Sequence, residues 1–363
     1  MRYYHYDIRG DVWKFHAKAG VSMKKLLIVL LILSTVAGIV SAGGASEGAS
    51  KPITFVWYPN ESGDELKASR EAVGKIIEDA LGRKVIHKLT TDYVISIEAI
   101  ANKQAHMGWY GAEGFVEANK KNPRVLPLVV NSGASGTLDD AIYYSWLNVK
   151  LGNEGMYKAG DKYSLDNIAG KKFGFVSTSS TSGFKVPGAV IAAYFSKKTE
   201  WAGLKSADLL EGGAGKLFNT VLYGNSHQGS AVNLLMGKVD VAAFCDSCVN
   251  NYVDFVSGTP NTAGAVYQVK KDAVDPFTSL QGQQFVVISV TPVLNGPMAI
   301  NTEMFSTDEL IKLNDAFTSE KTAKNELIFV PKTSTIKGLG FKAGEKFLPV
   351  QNRWYDPIRE LSK

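Results

Sequence analysis

The chain has 363 residues, 45% of them hydrophobic and 21% charged, with only two cysteines. That composition is globular and excludes a disordered chain, and the length suffices for two lobes of ordinary size. The net charge of +5 is a property of the front of the chain: the first 42 residues hold six of the 40 Lys and Arg and two of the 35 acids, leaving 34 bases against 33 acids and no electrostatic case for nucleic acid.

Residues 1–22 carry His, Arg, Tyr and Trp without apolar period, and read as an extension upstream of the true start. From Met23 the layout is Lys24-Lys25, an apolar run over 26–40, and Val40-Ser41-Ala42, a small-x-small cleavage pattern. This predicts a signal peptide over 23–42 and hence a periplasmic or extracytoplasmic protein; the run is short for a span of about 20 residues, and an uncleaved anchor is the alternative. No cysteine lies near the cleavage site, so a lipid anchor is not supported, and 43–51 (GGASEGASK) reads as a flexible leader.

Strands are expected over 53–58 (ITFVWY), 84–89, 106–109 and 125–130, with helices over 64–81, 93–105 and about 113–121 between them. This alternation predicts a parallel sheet wound with helices on both faces. After a loop over 133–136 the pattern restarts with a strand over 142–149. The stretch 171–195 (KKFGFVSTSSTSGFKVPGAVIAAYF) then reads as a strand over 173–176, six consecutive hydroxyl residues Ser177 to Ser182 closed by Gly183, and a helix. Unpaired N–H groups at a helix start hold an oxyanion without formal positive charge, and hydroxyls add rotatable donors. Pro187 favours the first helical turn, so the helix is placed from near Lys185, with 180–183 as a separate nest of N–H groups. Helices are expected over 215–222, 228–236 and about 247–256, strands over 239–244 and 285–290, and a helix over 306–317 with a Ser306/Glu309 capping box. The tail ends in a short helix after Trp354-Tyr355-Asp356-Pro357.

Two wound sheets place a ligand beyond the carboxyl ends of their strands. The residues there are Trp57, Tyr58 and Asn60; Trp109, Tyr110 and Gly111; the Ser/Thr turn; and Asp246. This describes a binding cleft with stacking walls and a polar floor, and no nucleophile elbow marks catalysis. Cys245 and Cys248 (FCDSC) are read as a local disulfide or two free thiols, and the histidines lack metal-ligand spacing, so no metal or other cofactor is expected.

In this order, SLDNIAGKKFGFV (164–176) with STSGFKVPG (180–188), GNSHQGSAVNLLMGKVDVAAFCDS (224–247) and TPVLNGPMAI (291–300) resemble the periplasmic phosphonate/phosphite-binding proteins of ABC transporters, over roughly 53–361. The resemblance implies an α/β, type II periplasmic-binding-protein fold: two wound lobes joined by two hinge strands, with lobe 1 from 52–140 plus 300–363 and lobe 2 from 141–299. It implies a monomeric, non-enzymatic solute-binding protein that captures a small phosphorus oxyanion by lobe closure and delivers it to ABC permease subunits. By this resemblance Ser180, Thr181 and Ser182 donate to phosphoryl oxygens, Tyr58 and Tyr110 close from lobe 1, and His227 or Gln228 and Asp246 reach the ligand from lobe 2. Each has a plainer reading: Tyr58 and Tyr110 as core, Asp246 as a helix cap, His227 as a cap or surface residue. The cysteines flanking Asp246 depart from the family pattern, and Gln228 stands where amine-phosphonate binders carry an acid, which counts against an aminoalkylphosphonate. A sensing module for a membrane receptor, or a binder of another oxyanion or small metabolite, would use the same cleft.

Overall fold

The computed structural model describes residues 51–361. The signal-peptide and upstream-extension readings of residues 1–50 lie outside the described residues. In chain order the first sheet is begun by β1 (Ile53–Trp57), β2 (Val85–Leu89), β3 (Met107–Trp109) and β4 (Val125–Asn131), with α1 (Lys67–Leu81), α2 (Tyr93–Ala101) and α3 (Ala112–Lys121) between them. The second sheet takes β5 (Ile142–Lys150), β6 (Lys172–Phe175), β7 (Thr220–Tyr223), β8 (Val241–Cys245), β9 (Val253–Ser257), β10 (Val266–Val269) and β11 (Gln284–Leu294), with α4 (Val186–Phe195), α5 (His227–Leu235) and the short α6 (Asp246–Val249). The chain then returns to the first sheet with β12 (Pro297–Asn301), α7 (Thr307–Thr318) and β13 (Phe347–Pro349). No helix among the described residues is long and apolar enough to cross a membrane.

The first sheet runs β13-β4-β12-β3-β1-β2 and the second β9-β10-β11-β5-β8-β6-β7. Neither is purely parallel. β1 pairs in parallel with β2 and β3, and β6 with β7 and β8, where a helix or long connection carries the chain back. β12 lies antiparallel to β3 and β4, and β11 antiparallel to β5 and β10, because these strands enter from the other lobe or by short returns. Asn295, at the second crossing between sheets, donates its N–H to the Ala141 carbonyl and its amide to the Asn131 carbonyl, tying the two crossings side by side.

Alternation along the strands feeds two cores per sheet. Ile53, Phe55 and Trp57 pack with α1, α7 and the returning Phe329, Phe341 and Phe347, whereas Val56 and Tyr58 pack with α2 and α3 on the opposite face. In the second sheet Ala242 and Phe244 face one core, Val241 and Ala243 the other.

Two expected helices are corrected. Residues 215–222 do not form one: Gly213 and Gly215 have φ of 136° and 73°, outside the helical region, and Thr220–Tyr223 is the edge strand beside β6. The helix expected over 247–256 stops at Val249, and Val253–Ser257 pairs antiparallel with Val266–Val269. Val253, Phe255 and Val256 favour strand, and the sequence pattern alone did not show their partner.

Candidate functional site: a closed inter-lobe cavity

From the second sheet, β6 ends in the hydroxyl turn, and the chain enters α4 through one wide turn over Thr181–Lys185. Its widening is visible in the bond from the Lys185 N–H to the Ser180 carbonyl, 2.9 Å, five residues back. α-helix begins at Val186, with Pro187 in its first turn. Ser180 Oγ accepts from the Gly183 N–H at 3.1 Å, and the Ser182 carbonyl is held by Ser145 Oγ at 2.7 Å. A Cβ on Gly183 would sit 2.3 Å from Val176 Cγ2, so this close turn requires glycine.

His227 begins α5. Its Nδ1 accepts the Cys245 N–H at 3.0 Å, which assigns the ring proton to Nε2, and Nε2 lies 3.4 Å from Ser180 Oγ. With two donors facing it, Ser180 Oγ keeps its own proton for a third partner. Asp246 follows β8; its Oδ1 accepts the Tyr144 N–H at 2.9 Å. Gln228 Nε2 donates to the Asn60 and Cys248 carbonyls, each at 3.1 Å, which leaves Oε1 buried without a partner.

From the first sheet, Tyr58 stacks on Tyr93 with ring centroids 4.0 Å apart and meets Tyr110 edge-on at 5.3 Å. The Tyr110 hydroxyl donates to the Ser96 carbonyl at 2.8 Å, and the Tyr58 hydroxyl is directed at Gly114 of α3. Both tyrosines thus present rings, with their hydroxyls turned into lobe 1. The phenols nearest the serines are Tyr93, beside Ser180, and Tyr143, beside Ser182 and Thr181.

The lobes are joined across the cleft by protein groups. Asn60 Oδ1 accepts the His227 N–H at 3.0 Å, while its amide donates to the Tyr93 hydroxyl at 2.6 Å. The Glu113 N–H, at the start of α3, donates to Thr181 Oγ1 at 2.9 Å. That approach needs Gly111, since a Cβ there would lie 2.8 Å from the same oxygen. Ser179 Oγ donates to Glu117 at 2.7 Å, and the mostly buried Lys185 Nζ pairs with the buried Glu113 Oε1 at 3.0 Å.

These contacts border an inter-lobe cavity of about 130 Å³. It is lined by all eight residues singled out from the sequence: Tyr58, Tyr110, Ser180, Thr181, Ser182, His227, Gln228 and Asp246. The sequence did not single out Glu61, Tyr93 and Tyr143, and it noted Asn60 only as a strand-end residue. Tyr143 was legible in principle from its place in a strand leaving the hinge; Tyr93 and Glu61 depend on tertiary stacking. Ser182 Oγ is buried and makes no hydrogen bond of good geometry, and Glu61 Oε2 is likewise buried and unpartnered.

Burial dominates the electrostatics. It pushes His227 down to about 3, so the imidazole is neutral, and raises Glu61 to about 8 and Asp246 above the usual carboxylate range. Lys342 is the one Lys or Arg among the described residues lining the cavity, against the acids Glu61, Asp246 and Glu345. Cys245 and Cys248 are disulfide-bonded, with Cα atoms 5.6 Å apart. Their sulfurs and a His227 ring nitrogen lie within 4.8 Å of one another, but the disulfide removes both thiolates and with them a metal donor set.

Over residues 55–355 the chain matches the family described as ABC transporter, phosphonate, periplasmic substrate-binding protein. It is 25% identical over 214 residues to the phosphate-import protein PhnD of Mycolicibacterium smegmatis, an alignment spanning 56% of this chain and 58% of that protein. Among solved structures, a binding-protein component of an ABC phosphonate transporter from Pseudomonas aeruginosa superposes with a TM-score of 0.60 at 21% identity, covering 86% of this chain and 85% of that one. PhnD1 from Prochlorococcus marinus in complex with methylphosphonate superposes with a TM-score of 0.61 at 15% identity, covering 85% and 96%. At these identities the superpositions speak for a shared two-lobed fold.

Proposed function

The chain belongs to the family of periplasmic phosphonate substrate-binding proteins of ABC transporters, and from that premise we propose that it captures a small phosphorus oxyanion in the inter-lobe cavity and delivers it to a membrane permease. The family is a binding component of a transporter, not an enzyme. We place the protein outside the cytoplasmic membrane, exported by the signal peptide over 23–42, and acting as a monomer.

One observation carries this reading: Ser182 Oγ, buried and without a good partner, sits beside two further hydroxyls in the turn leading into α4, on a cavity bordered by the protein's own inter-lobe bonds. Hydroxyl and N–H donors converging at a helix start suit deprotonated oxygens. In this reading Ser180, Thr181 and Ser182 donate to the phosphoryl group, joined by the phenols of Tyr93 and Tyr143, while the His227 Nε2–H faces Ser180 Oγ and orients that hydroxyl toward the ligand. Asp246 accepts from a P–OH. A monoprotonated phosphonate or phosphite offers that proton and sulfate at neutral pH does not, so the carboxylate repels sulfate. The rings of Tyr58 and Tyr110 face the P–C or P–H substituent. A fourth oxygen there, as in phosphate, would be left poorly hydrated, which costs about 1–3 kcal/mol, roughly one to two orders of magnitude in affinity. A cavity of about 130 Å³ suits an anion of this size.

A thermal-shift and calorimetric panel of phosphate, phosphite, hypophosphite, methylphosphonate, 2-aminoethylphosphonate, sulfate and taurine tests the proposal. A ligand at about 100 times its Kd adds about 2.7 kcal/mol of stability. The expected result is stabilisation by one or two phosphorus anions and none by sulfate, with Ser182→Ala weakening binding by about tenfold or more. Equal affinity for phosphate and methylphosphonate contradicts the discrimination argument, and stabilisation by none of the phosphorus anions contradicts the ligand class.

A further inference from the structure

The cavity sets a charge problem. An anion enters a space lined by three carboxyl groups, Glu61, Asp246 and Glu345, and one lysine, Lys342. Asp246 has a donor in the Tyr144 N–H, and Glu345 has donors in the Lys342 N–H and the Asn131 amide. Glu61 differs. Its Oε2 is buried and has no partner. The nearby guanidinium of Arg70 does not bond it, because Nη1 donates to the backbone carbonyls of Glu61 and Gly63, the latter at 2.7 Å. Its surroundings are phenolic: its charge would be felt by Tyr58, Tyr93, Tyr143 and Tyr252, from both lobes.

Building on the phosphorus-oxyanion reading, we propose that Glu61 is a specificity-determining residue that meets the bound anion as a carboxylic acid and donates its O–H to a phosphoryl oxygen from the lobe 1 side, opposite the serines. An ionised Glu61 would repel the ligand and leave Oε2 without a donor, a cost that burial makes larger than the help from the Asn60 amide, nearby backbone N–H groups and Arg70; the acid form supplies a missing donor and removes the repulsion. Burial favours that form, holding the carboxyl proton up to about pH 8 in the empty cavity, and a bound anion strengthens the hold. The other charged or titratable groups around it are Arg70 on α1, Asp64 and Glu65 just before it, His227 (neutral) on α5, and Asp246, Glu345 and Lys342 on the cavity wall. No proton leaves Glu61 in this step; its deprotonation above about pH 8 weakens binding.

The experiment measures Kd by calorimetry from pH 6.0 to 9.5 for the wild-type chain, Glu61→Gln and Glu61→Ala. One ligand is hypophosphite, a monoanion across that range that lacks a P–OH for Asp246 and is therefore expected to bind more weakly; the other is methylphosphonate, whose own ionisation cancels between wild type and Glu61→Gln. Circular dichroism checks the fold of each. Wild-type Kd for hypophosphite is expected to stay level to about pH 8 and then to weaken by up to tenfold per pH unit. Glu61→Gln, whose amide keeps a donor, is expected to bind at pH 7 within a few fold of wild type and to lose this extra pH slope. Glu61→Ala is expected to weaken binding about tenfold at pH 7. A wild-type profile level to pH 9.5 overturns the proposal without use of any variant, as do parallel profiles for wild type and Glu61→Gln. So does a loss of 2-aminoethylphosphonate binding in Glu61→Gln with methylphosphonate unaffected, since that marks an ionised Glu61 paired with an ammonium. Failure of the wild-type chain to bind any phosphorus anion at any pH overturns the underlying functional reading together with this one, and so is distinguishable from the failures that strike Glu61 alone.

Discussion

His227 shows how one side chain is fixed in a single protonation state. Its Nδ1 accepts a backbone N–H from the strand that precedes the disulfide, its ring is buried, and its pKa is pushed down to about 3. Unfolded, the same imidazole titrates near 6.5. The unfolded chain therefore takes up the proton first, so the stability His227 contributes is complete above about pH 6.5 and is lost as pH falls toward 3. The loss from this one group approaches about 1.4 kcal/mol per pH unit within that window. Denaturant midpoints at pH 7, 6 and 5 should decline more steeply for the wild type than for His227→Asn, whose amide oxygen still accepts the Cys245 N–H without titrating; equal slopes would contradict the buried neutral assignment. At this scale the sequence was informative where chemistry coincides with strand ends, which is why Ser180 to Ser182 and Asp246 could be singled out, whereas His227 and Gln228 entered only through the family resemblance. It was silent on hydroxyl direction. Tyr110 reads as an aromatic wall from its position, and only the packing of α2 shows that its hydroxyl bonds to Ser96. Glu61 was hidden in a stretch legible only as a strand-breaking Pro-Asn-Glu-Ser-Gly.

The element on which the site rests is the wide turn between β6 and α4. Gly183 has the steric role there, its carbonyl accepting the Val176 N–H at 3.1 Å and its missing side chain leaving room for Val176 and Ser180 Oγ. Gly183→Ala forces an overpacked contact and is expected to cost about 1–3 kcal/mol, lowering the melting temperature by several degrees and weakening ligand binding by displacing Ser180. Gly188, one turn into α4, is the control: a Cβ there meets only Ser206 Cβ at 3.6 Å, and Gly188→Ala should be neutral or stabilising by about 0.5–1 kcal/mol. Equal melting temperatures for the two variants would refute the steric account. Elements with strong local signals were legible: the apolar β1, the amphipathic α1 and the Ser306/Glu309 capping box, whose reciprocal bonds are present. The misread ones, 215–222 and 247–256, hold short apolar runs whose helix or strand state is decided by a neighbouring strand that local pattern does not reveal.

Across the whole molecule, closure is held by contacts that belong to the protein rather than to a ligand: the buried Lys185–Glu113 pair, the Thr181 oxygen at the start of α3, and Asn60 at the start of α5. Opening the lobes rehydrates the two charges, so removing one partner penalises the closed form in particular. Glu113→Ala is expected to enlarge the radius of gyration in small-angle scattering without ligand and to weaken binding by about tenfold; unchanged scattering and unchanged affinity would show that the pair does not hold the lobes together. A two-lobed architecture followed from the restarted alternation after residue 141, whereas these latches join α3 to the α4 turn and Asn60 to α5, more than 60 positions apart in sequence, and no local pattern announces them. Because the latches are the protein's own, the time a captured anion stays inside is governed by how often the lobes part, and not only by how well its oxygens are gripped.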